Sequence, residues 1–331
     1  MSGQSRTGIL EQPVRIAAEA IPIATVEDVL FSVWPGPSRS PEEVLALAAF
    51  ADAGEWHCFW YADHYMENTG DESFAPGPIH EAWTMLPLIA GATSRVRLGP
   101  LVAPTSVHHP ALLANRAATL DVVSNGRFTL GLGAGWQINE HRAYGIDLEA
   151  PSTRVSRFEE SIEIVRSLLD NDRTTFDGDF YTFTDAPCEP RPVQSQLPIV
   201  VGTGGPRMLR ITARFAQQWN TWGAPDLAGS KHQTFIDACT ATGTDPRSMH
   251  TSVQALIFMT DDSTLIDNVL AGPMGDRSIA GSDDHIVEQL GRYADQGFDE
   301  VIVPDFSLGR APEARLAAYT HFAEAIIPQL S

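Results

Sequence analysis

The sequence predicts a single closed (β/α)8 TIM barrel with a β-hairpin inserted after the fourth helix. Eight apolar segments of strand length alternate with segments of helical periodicity, without a break in composition between them. The chain has 331 residues, which suits one barrel of roughly 250 residues with insertions. The predicted strands cover residues 29–34, 57–62, 96–102, 128–133, 198–202, 218–222, 253–259 and 301–303.

Helix signals separate the strands of the first half. Ser40-Pro41-Glu42-Glu43 combines a capping box with proline at the first helical position, which predicts a helix over 40–54. Residues 79–90 and 110–123 carry apolar side chains at helical spacing. Segment 95–136 therefore contains a strand, a helix and a strand, which is the right-handed crossover unit of a parallel sheet.

The second half is predicted to continue the series after one insertion. Residues 139–153 form a polar connection, and Ser156 with Glu159 forms the capping box of the fourth helix. Residues 174–184 alternate around Asp177-Gly178, which predicts the inserted hairpin. The segment 261–279 is predicted to be irregular apart from a short helix. The remaining helices are predicted from Pro206, over 226–240, from Ser282 to Gly297 and over 312–327.

Composition limits the class of partner. Acidic residues outnumber basic ones by 42 to 22, which gives a formal net charge of −20. Nucleic acids and anionic membranes are bound by basic patches, so neither is an expected partner, and no apolar run approaches the length of a membrane span. The three cysteines lack CxxC spacing, which favours a reducing cytoplasm over a disulfide framework. Residues 1–28 carry no recognisable signal peptide and are predicted to form an N-terminal extension, with disorder as an open alternative, before one domain over 29–331.

Several predicted strands end in residues that can carry chemistry, and ligands bind at these ends in parallel barrels. Asp63-His64 follows the second strand. A histidine held by a neighbouring carboxylate can act as an acid, a base or a hydrogen-bond donor, whereas an isolated pair of this kind can also only close a loop. Leu101-Val102 lies between Pro100 and Pro104, and forms either a wall for a flat ring or a rigid turn.

Two glycine-rich segments also follow strands. Gly131-x-Gly133-x-Gly135 is only part of a dinucleotide fingerprint, so close approach of a ligand and a tight strand exit are both better interpretations. Gly202-Thr203-Gly204-Gly205-Pro206 precedes a helix with proline at its first position. Exposed amides at the positive end of a helix can bind phosphate, with an ordinary loop as the alternative.

No metal site is predicted. His108-His109 and Glu140-His141 have neither HExxH nor facial-triad spacing, and polar residues at helix starts account for them. A GxSxG motif for serine hydrolysis is not found either.

Taken together, these segments resemble the luciferase-like monooxygenase superfamily, whose members are TIM barrels that use FMN or the deazaflavin coenzyme F420. The resemblance covers residues 29–328 and is densest between Asp63 and Asn220. The run DAPCEPRPVQ at 185–194 is most similar to the branch of F420-dependent oxidoreductases. The other matching segments are DHY at 63, RVRLGPLV at 95, HHPALLANRAATLDVVSNGRFTLGLGAGW at 108, NEHRAYGI at 139, RFEESIEIVRSLL at 157, and LPIVVGTGG at 197 through AQQWN.

The resemblance implies roles for individual residues. It implies a non-proline cis peptide at Leu101-Val102, followed by Ala103, behind the isoalloxazine-type ring. Asp63 and His64 would lie beside the reactive face of the ring, and Asn139 would contact the ring or its side chain. The phosphate would lie against Gly202, Thr203, Gly204 and Gly205, with Lys231 or Arg207 near the anionic tail. His141 is a further catalytic candidate on a lid, and the predicted substrate pocket contains Trp34, Trp136, Tyr144 and Trp222.

Two positions depart from the sugar-phosphate dehydrogenases of this family. Those enzymes carry a glutamate acid where this chain has Trp136, and a tryptophan where it has Asn68. An indole cannot donate a proton as that glutamate does, so a hydrophobic or aromatic substrate is expected instead of glucose 6-phosphate.

The sequence therefore predicts a cytoplasmic, F420-dependent oxidoreductase that transfers a hydride to or from a small organic substrate. His64 would bind the substrate oxygen or relay its proton, with Asp63 orienting it. A homodimer is expected, as is common in such families. The first alternative is an FMN-dependent monooxygenase supplied by a flavin reductase partner, and the second is a flavin-binding protein without catalytic activity.

Overall fold

The computed structural model describes residues 29–74 and 77–330, so the predicted N-terminal extension lies outside the described residues. Within these ranges the chain alternates strands with helices, as the sequence pattern predicts. The strands are β1 (Leu30–Trp34), β2 (Cys58–Tyr61), β3 (Arg97–Pro100), β4 (Ala103–Pro104), β5 (Leu130–Gly133), β6 (Thr174–Asp177), β7 (Thr182–Ala186), β8 (Ile199–Gly202), β9 (Gln218–Trp222), β10 (His250–Gln254), β11 (Leu256–Met259), β12 (Ser278–Gly281) and β13 (Glu300–Pro304). The helices are α1 (Pro41–Ala53), α2 (Ala82–Ala92), α3 (Pro110–Val123), α4 (Ile138–Ala143), α5 (Pro151–Asp170), α6 (Pro206–Phe215), α7 (Pro225–Thr242), α8 (Ser263–Leu270), α9 (Asp283–Asp295) and α10 (Pro312–His321).

The central sheet is a parallel barrel. Its order is β3-β2-β1-β13-β10-β9-β8-β5-β4, and β3 and β4 are two parts of one barrel strand interrupted at Leu101-Val102. The ring closes because β4 pairs with β5 and a bridge joins Leu98 to Phe128. The predicted TIM barrel is confirmed.

Helix start signals were reliable where a hydroxyl precedes the first turn. Ser40 Oγ accepts a hydrogen bond from the amide of Glu43, and Ser282 caps α9 in the same way. The predicted capping box at Ser156 is wrong, because α5 already begins at Pro151 and Ser156 lies inside it. Proline at the first helical position set this start, since its fixed φ suits the first turn.

Three predicted segments differ from the structure. Residues 139–153 are not a simple connection, because they contain most of α4 and the start of α5. The predicted strand over 253–259 divides into the barrel strand β10 and β11, and β11 pairs with β12 in a separate two-stranded sheet. The closing helix ends as α10 at His321 and continues as π-helical and 3-10 turns to Gln329.

Strands β6 and β7 pair antiparallel after α5, which is the fifth helix of the chain because α4 precedes it. Residues 178–181 connect them. The carboxylate of Glu160 on α5 accepts hydrogen bonds from the amides of residues 179, 180 and 181 in this connection. The hairpin is thereby attached to α5.

Apolar residues fill two layers of the barrel. The larger layer lies between the sheet and the helices, and the smaller fills the inside of the barrel. None of the helices in the described ranges has the length and apolar character that a membrane span requires. The interior layer consists of Trp34, Cys58, Trp60, Ala62, Leu101, Val200 and Ile302.

Candidate active site

A cleft of about 920 Å³ opens at the carboxyl ends of the barrel strands. This volume lies within the range of roughly 300–1,000 Å³ that is typical of ligand sites. Most of its lining comes from the ends of β1, β2, β5, β8, β9 and β10 and from the segments that follow them. Among the predicted site residues, it is lined by Trp34, His64, Leu101, Val102, Trp136, Gly202, Thr203, Gly204 and Trp222.

The peptide bond between Leu101 and Val102 is cis and faces this cleft. The amide of Leu101 donates a 2.8 Å hydrogen bond to the carbonyl of Tyr61, and that of Thr105 donates a 2.8 Å bond to the carbonyl of Gly133. These bonds hold the segment on both sides as it crosses the inner wall. Ala103 is buried and does not line the cleft.

The glycines after β5 are explained by the neighbouring protein segment. A Cβ on Gly131 would overlap the carbonyl oxygen of Pro100, and one on Gly133 would lie 2.7 Å from Val102 Cγ2. Close approach of β3, β4 and Val102 therefore requires these glycines. Of the two better interpretations of the partial GxGxG motif, close packing at the strand exit accounts for Gly131 and Gly133.

His64 faces the cleft and is paired with a carboxylate that the sequence interpretation missed. His64 Nδ1 lies 3.0 Å from Glu140 Oε1, and the amide of Tyr65 donates a 2.9 Å hydrogen bond to Glu140 Oε2. Glu140 is buried, whereas the side chain of His64 is 23% exposed. Trp136 contacts His64 edge to face, with a centroid distance of 5.6 Å. The site thus presents an imidazole whose other nitrogen is available to a ligand.

Asp63 does not orient His64, which corrects the sequence prediction. Its Oδ2 atom lies 2.7 Å from His108 Nε2 and accepts a 3.0 Å hydrogen bond from Trp83 Nε1. Consecutive residues at a strand end point to opposite faces, so Asp63 packs under the helices while His64 enters the cleft. Asp63 is buried and outside the cleft lining.

Helix α4 places its residues differently from the prediction. Asn139 is buried and its Nδ2 donates a 2.7 Å hydrogen bond to the carbonyl of Glu67, so it does not line the cleft. His141 is buried between the carbonyl of Gln137 and Ser106 Oγ, at 2.7 and 2.8 Å. Tyr144 is exposed beside Tyr65, outside the cleft.

These positions follow from helical periodicity. Gln137 and Glu140, three residues apart, face the cleft, and the residues between and after them face elsewhere. Glu140 lies in the NEHRAYGI segment. It could have been assigned to the cleft from the sequence only if this segment had been predicted to be helical.

The loop from Gly202 to Gly205 ends at α6 with open backbone. Gly205 is the N-cap of α6 and provides no side-chain cap, and a Cβ on Gly204 or Gly205 would meet no atom within 4 Å. Gly205 itself is outside the cleft lining. Exposed amides at the first turn can bind an anion.

Of the two cationic side chains predicted near the anionic tail, Lys231 lines the cleft and Arg207 does not. Arg207 lies outside the lining and pairs with Glu159 at 2.8 Å. Lys231 lines the cleft and donates a 2.7 Å hydrogen bond to the carbonyl of Trp222, and burial together with nearby Arg277 lowers its pKa. Arg39 and Arg277, which the sequence interpretation missed, also line the cleft.

The sequence model of the luciferase-like monooxygenases matches residues 29–270. The chain belongs to this family. An F420-dependent glucose-6-phosphate dehydrogenase of Amycolatopsis mediterranei is 33% identical over 175 residues, which cover 53% of this chain and 51% of that protein. The chain thus matches about half the length of such relatives.

Solved structures share the fold of this luciferase-like protein. The F420-dependent tetrahydromethanopterin reductase of Methanopyrus kandleri has a TM-score of 0.77 at 18% identity, over 92% of this chain and all of that one. The oxygenating constituent of a diketocamphane monooxygenase of Pseudomonas putida, solved in complex with FMN, has a TM-score of 0.71 at 16% identity, over 91% of this chain and 98% of that one.

Aromatic side chains form part of the cleft lining of this luciferase-like protein. Trp34 packs against Trp222 and Phe306, with centroid distances of 5.5 and 5.2 Å, and Phe306 was missed by sequence reasoning. The three rings form one apolar wall of the cleft that His64 also lines. Within the described residues, Trp34 Nε1 is buried without a hydrogen-bond partner.

Proposed function

We propose that the protein is an F420-dependent oxidoreductase that transfers a hydride between the deazaflavin ring and a small hydrophobic organic substrate. The observation that carries this proposal is the His64–Glu140 pair, which lines the same cleft as Leu101 and Val102. The relatives named as F420-dependent glucose-6-phosphate dehydrogenases support the choice of cofactor.

The residues of the cleft fit the shape and charge of this cofactor. The ring would lie against Leu101 and Val102, whose approach to β5 the glycines permit. The phosphate would bind the uncapped amides at the start of α6, beside Gly204 and Gly205. The anionic tail would then meet Arg277 or Lys231. When bound, F420 supplies the carbon that accepts or donates the hydride.

The protein orients the substrate and provides the group that takes or returns its proton. Glu140 accepts the Nδ1 proton of His64 and thereby leaves Nε2 directed to the substrate oxygen. As the substrate carbon loses or gains its hydride, His64 takes or returns the hydroxyl proton, and the buried Glu140 carboxylate stabilises the imidazolium. Trp136 excludes water from one side of the imidazole.

The aromatic wall supports a hydrophobic alcohol or carbonyl compound as the substrate class. Trp34, Trp222 and Phe306 give the cleft an apolar surface that suits such a compound, and Trp136 stands where, by the resemblance, the sugar-phosphate dehydrogenases carry a glutamate acid. We therefore expect negligible turnover of glucose 6-phosphate.

A second candidate is an FMN-dependent monooxygenase that receives reduced flavin from a reductase. The similarity to the FMN-bound diketocamphane monooxygenase favours it, because the two folds coincide over 91% of this chain. A flavin-binding protein without turnover is the third alternative.

We also propose that the protein forms a homodimer and is located in the cytoplasm. The three cysteines are buried and unpaired, which fits a reducing compartment.

The test is a turnover assay with both cofactors. The absorbance of oxidised F420 is followed in the presence of a panel of hydrophobic alcohols. In the reverse direction, the absorbance of reduced F420 is followed in the presence of the matching carbonyl compounds. The proposal expects saturable substrate-dependent turnover that is lost in His64→Ala. Oxygen uptake with reduced FMN, without F420 turnover, would instead establish the monooxygenase. Binding of F420 without turnover on the whole panel would favour the non-catalytic alternative.

A further inference from the structure

A second cluster of ligand-type side chains lies at the opposite mouth of the barrel from the cleft. His57 immediately precedes β2, His250 begins β10, and Glu300 begins β13. Because β2, β1, β13 and β10 are consecutive in the sheet, the amino ends of these strands bring the three side chains together. One ligand atom from each residue lies within 4.8 Å of the other two.

The carboxylate at the centre of this cluster is firmly positioned. Glu300 is buried, and its Oε1 atom accepts a 2.8 Å hydrogen bond from Trp60 Nε1 inside the barrel. Its other oxygen, Oε2, lies 3.0 Å from His250 Nε2. An outer hydrogen bond of this kind orients a metal-binding carboxylate in many proteins.

The third member has no role in this hydrogen-bond network. Within the residues that the structure describes, the imidazole of His57 has no hydrogen-bond or ion-pair partner. Its ring nevertheless lies beside that of His250, with centroids 6.1 Å apart. The ion pairs of His250 with Glu300 at 3.0 Å and with Asp299 at 3.9 Å would not require a second imidazole at this position.

We infer that His57, His250 and Glu300 bind one divalent transition-metal ion, with Zn²⁺ as the best match. Two imidazole nitrogens and one carboxylate oxygen are a set that Zn²⁺ accepts, with water as the fourth ligand. Mg²⁺ and Ca²⁺ prefer oxygen ligands alone. The ion joins β2, β10 and β13 at the face of the barrel that governs stability and not catalysis.

This site was invisible in the sequence because its ligands do not form a short motif. Residues 57, 250 and 300 are at least 50 positions apart in the chain, and only the closed sheet makes them neighbours. It is independent of the proposed redox activity, since the cleft lies at the other end of the strands.

The test is a titration of the EDTA-washed, full-length protein with ZnCl2, followed by calorimetry and by thermal unfolding. We expect one Zn²⁺ per chain and a rise in Tm of about 5 °C at saturating metal. His57→Gln should weaken binding at least tenfold while leaving the Tm of the metal-free protein almost unchanged. His321→Gln is the matched control, because it removes a histidine that lies 2.8 Å from the exposed Asp283, and it should bind Zn²⁺ as the wild type does.

Wild-type protein that takes up no Zn²⁺, or His57→Gln protein that binds it as tightly as the wild type, would overturn the inference. A measurement that needs no variant is the visible spectrum of the wild type with Co²⁺. Ligand-field bands of a low-coordinate nitrogen and oxygen site are expected, and a spectrum identical to that of aqueous Co²⁺ would contradict the proposal even if every variant failed to fold.

Discussion

His64 projects into the cleft, whereas Asp63, its neighbour in the chain, projects to the other side of the strand. The sequence placed His64 correctly, because a polar residue just after a buried strand lies at the ligand-binding end of a barrel. Its carboxylate partner could not be found by proximity in the sequence. Glu140 is 76 residues away and becomes a neighbour only through α4, in a segment predicted to be a loop.

Glu140→Gln tests which carboxylate serves His64. The amide keeps the shape of the side chain but removes the charge that stabilises the imidazolium, so kcat should fall on the order of a hundredfold with little change in cofactor affinity. Steady-state kinetics and cofactor titration measure both effects.

Asp63→Asn is the matched control for that variant. It removes the charge that pairs with His108 away from the cleft, so it should lower the Tm while kcat stays within about threefold of the wild type. The opposite pattern, with kcat lost in Asp63→Asn and kept in Glu140→Gln, would restore Asp63 as the partner of His64.

The third barrel strand, which consists of β3 and β4, packs closely against β5. Apolar periodicity was enough to predict both strands, and Pro110 marked the start of the helix between them. The reason for the glycines could not be read from the sequence, since it depends on which strand packs across them. Similarly, the start of α5 was missed because Ala150 gives no side-chain cap, and only Pro151 marks the first turn.

Gly131→Ala should destabilise the protein by about 3 kcal/mol or more, because the added methyl overlaps the carbonyl of Pro100. Gly91→Ala is the control on the surface of α2, where a Cβ meets no atom within 4 Å. It should raise stability by about 0.5–1 kcal/mol. Urea unfolding measures both, and equal stability of the two variants would refute the packing explanation.

The last turn of α1 is linked to the strand after α2 by Asp52. Its carboxylate accepts hydrogen bonds from the amides of Ser94, Arg95 and Val96, at 2.9, 2.6 and 2.8 Å. Burial alone would raise the pKa of Asp52, but these hydrogen bonds lower it from 3.8 to about 2. The ionised carboxylate therefore stabilises the folded state above pH 3.8, and this contribution is lost as the pH falls towards 2.

Asp52→Asn should cost about 1–2 kcal/mol of unfolding free energy near neutral pH. The difference from the wild type should shrink below about pH 4, where the wild-type carboxylate also becomes neutral. Urea unfolding at several pH values measures this difference, and a gap that stays constant down to pH 3 would show that the charge of Asp52 is not responsible.

On the scale of the whole molecule, an acidic protein with a net charge of −20 places the cationic side chains of Arg39, Lys231 and Arg277 at its cleft, where Arg39 is paired with Asp305. The barrel and the end that carries the cleft were predictable from the order of strands and helices. Some of the side chains that line the cleft were not predictable, because Arg39 comes from a loop and Arg277 and Phe306 come from short 3-10 turns, whose paths the periodicity does not determine. The apolar wall and the cations together favour a ligand with a flat ring and an anionic tail.

The most direct measurement is a side-by-side fluorescence titration of the purified protein with F420 and with FMN. Our account predicts tight, saturable binding of F420 and much weaker binding of FMN, with the affinity for F420 reduced in Arg277→Ala. Tight binding of FMN with weak binding of F420 would contradict the central claim and would support an oxygen-using flavin monooxygenase.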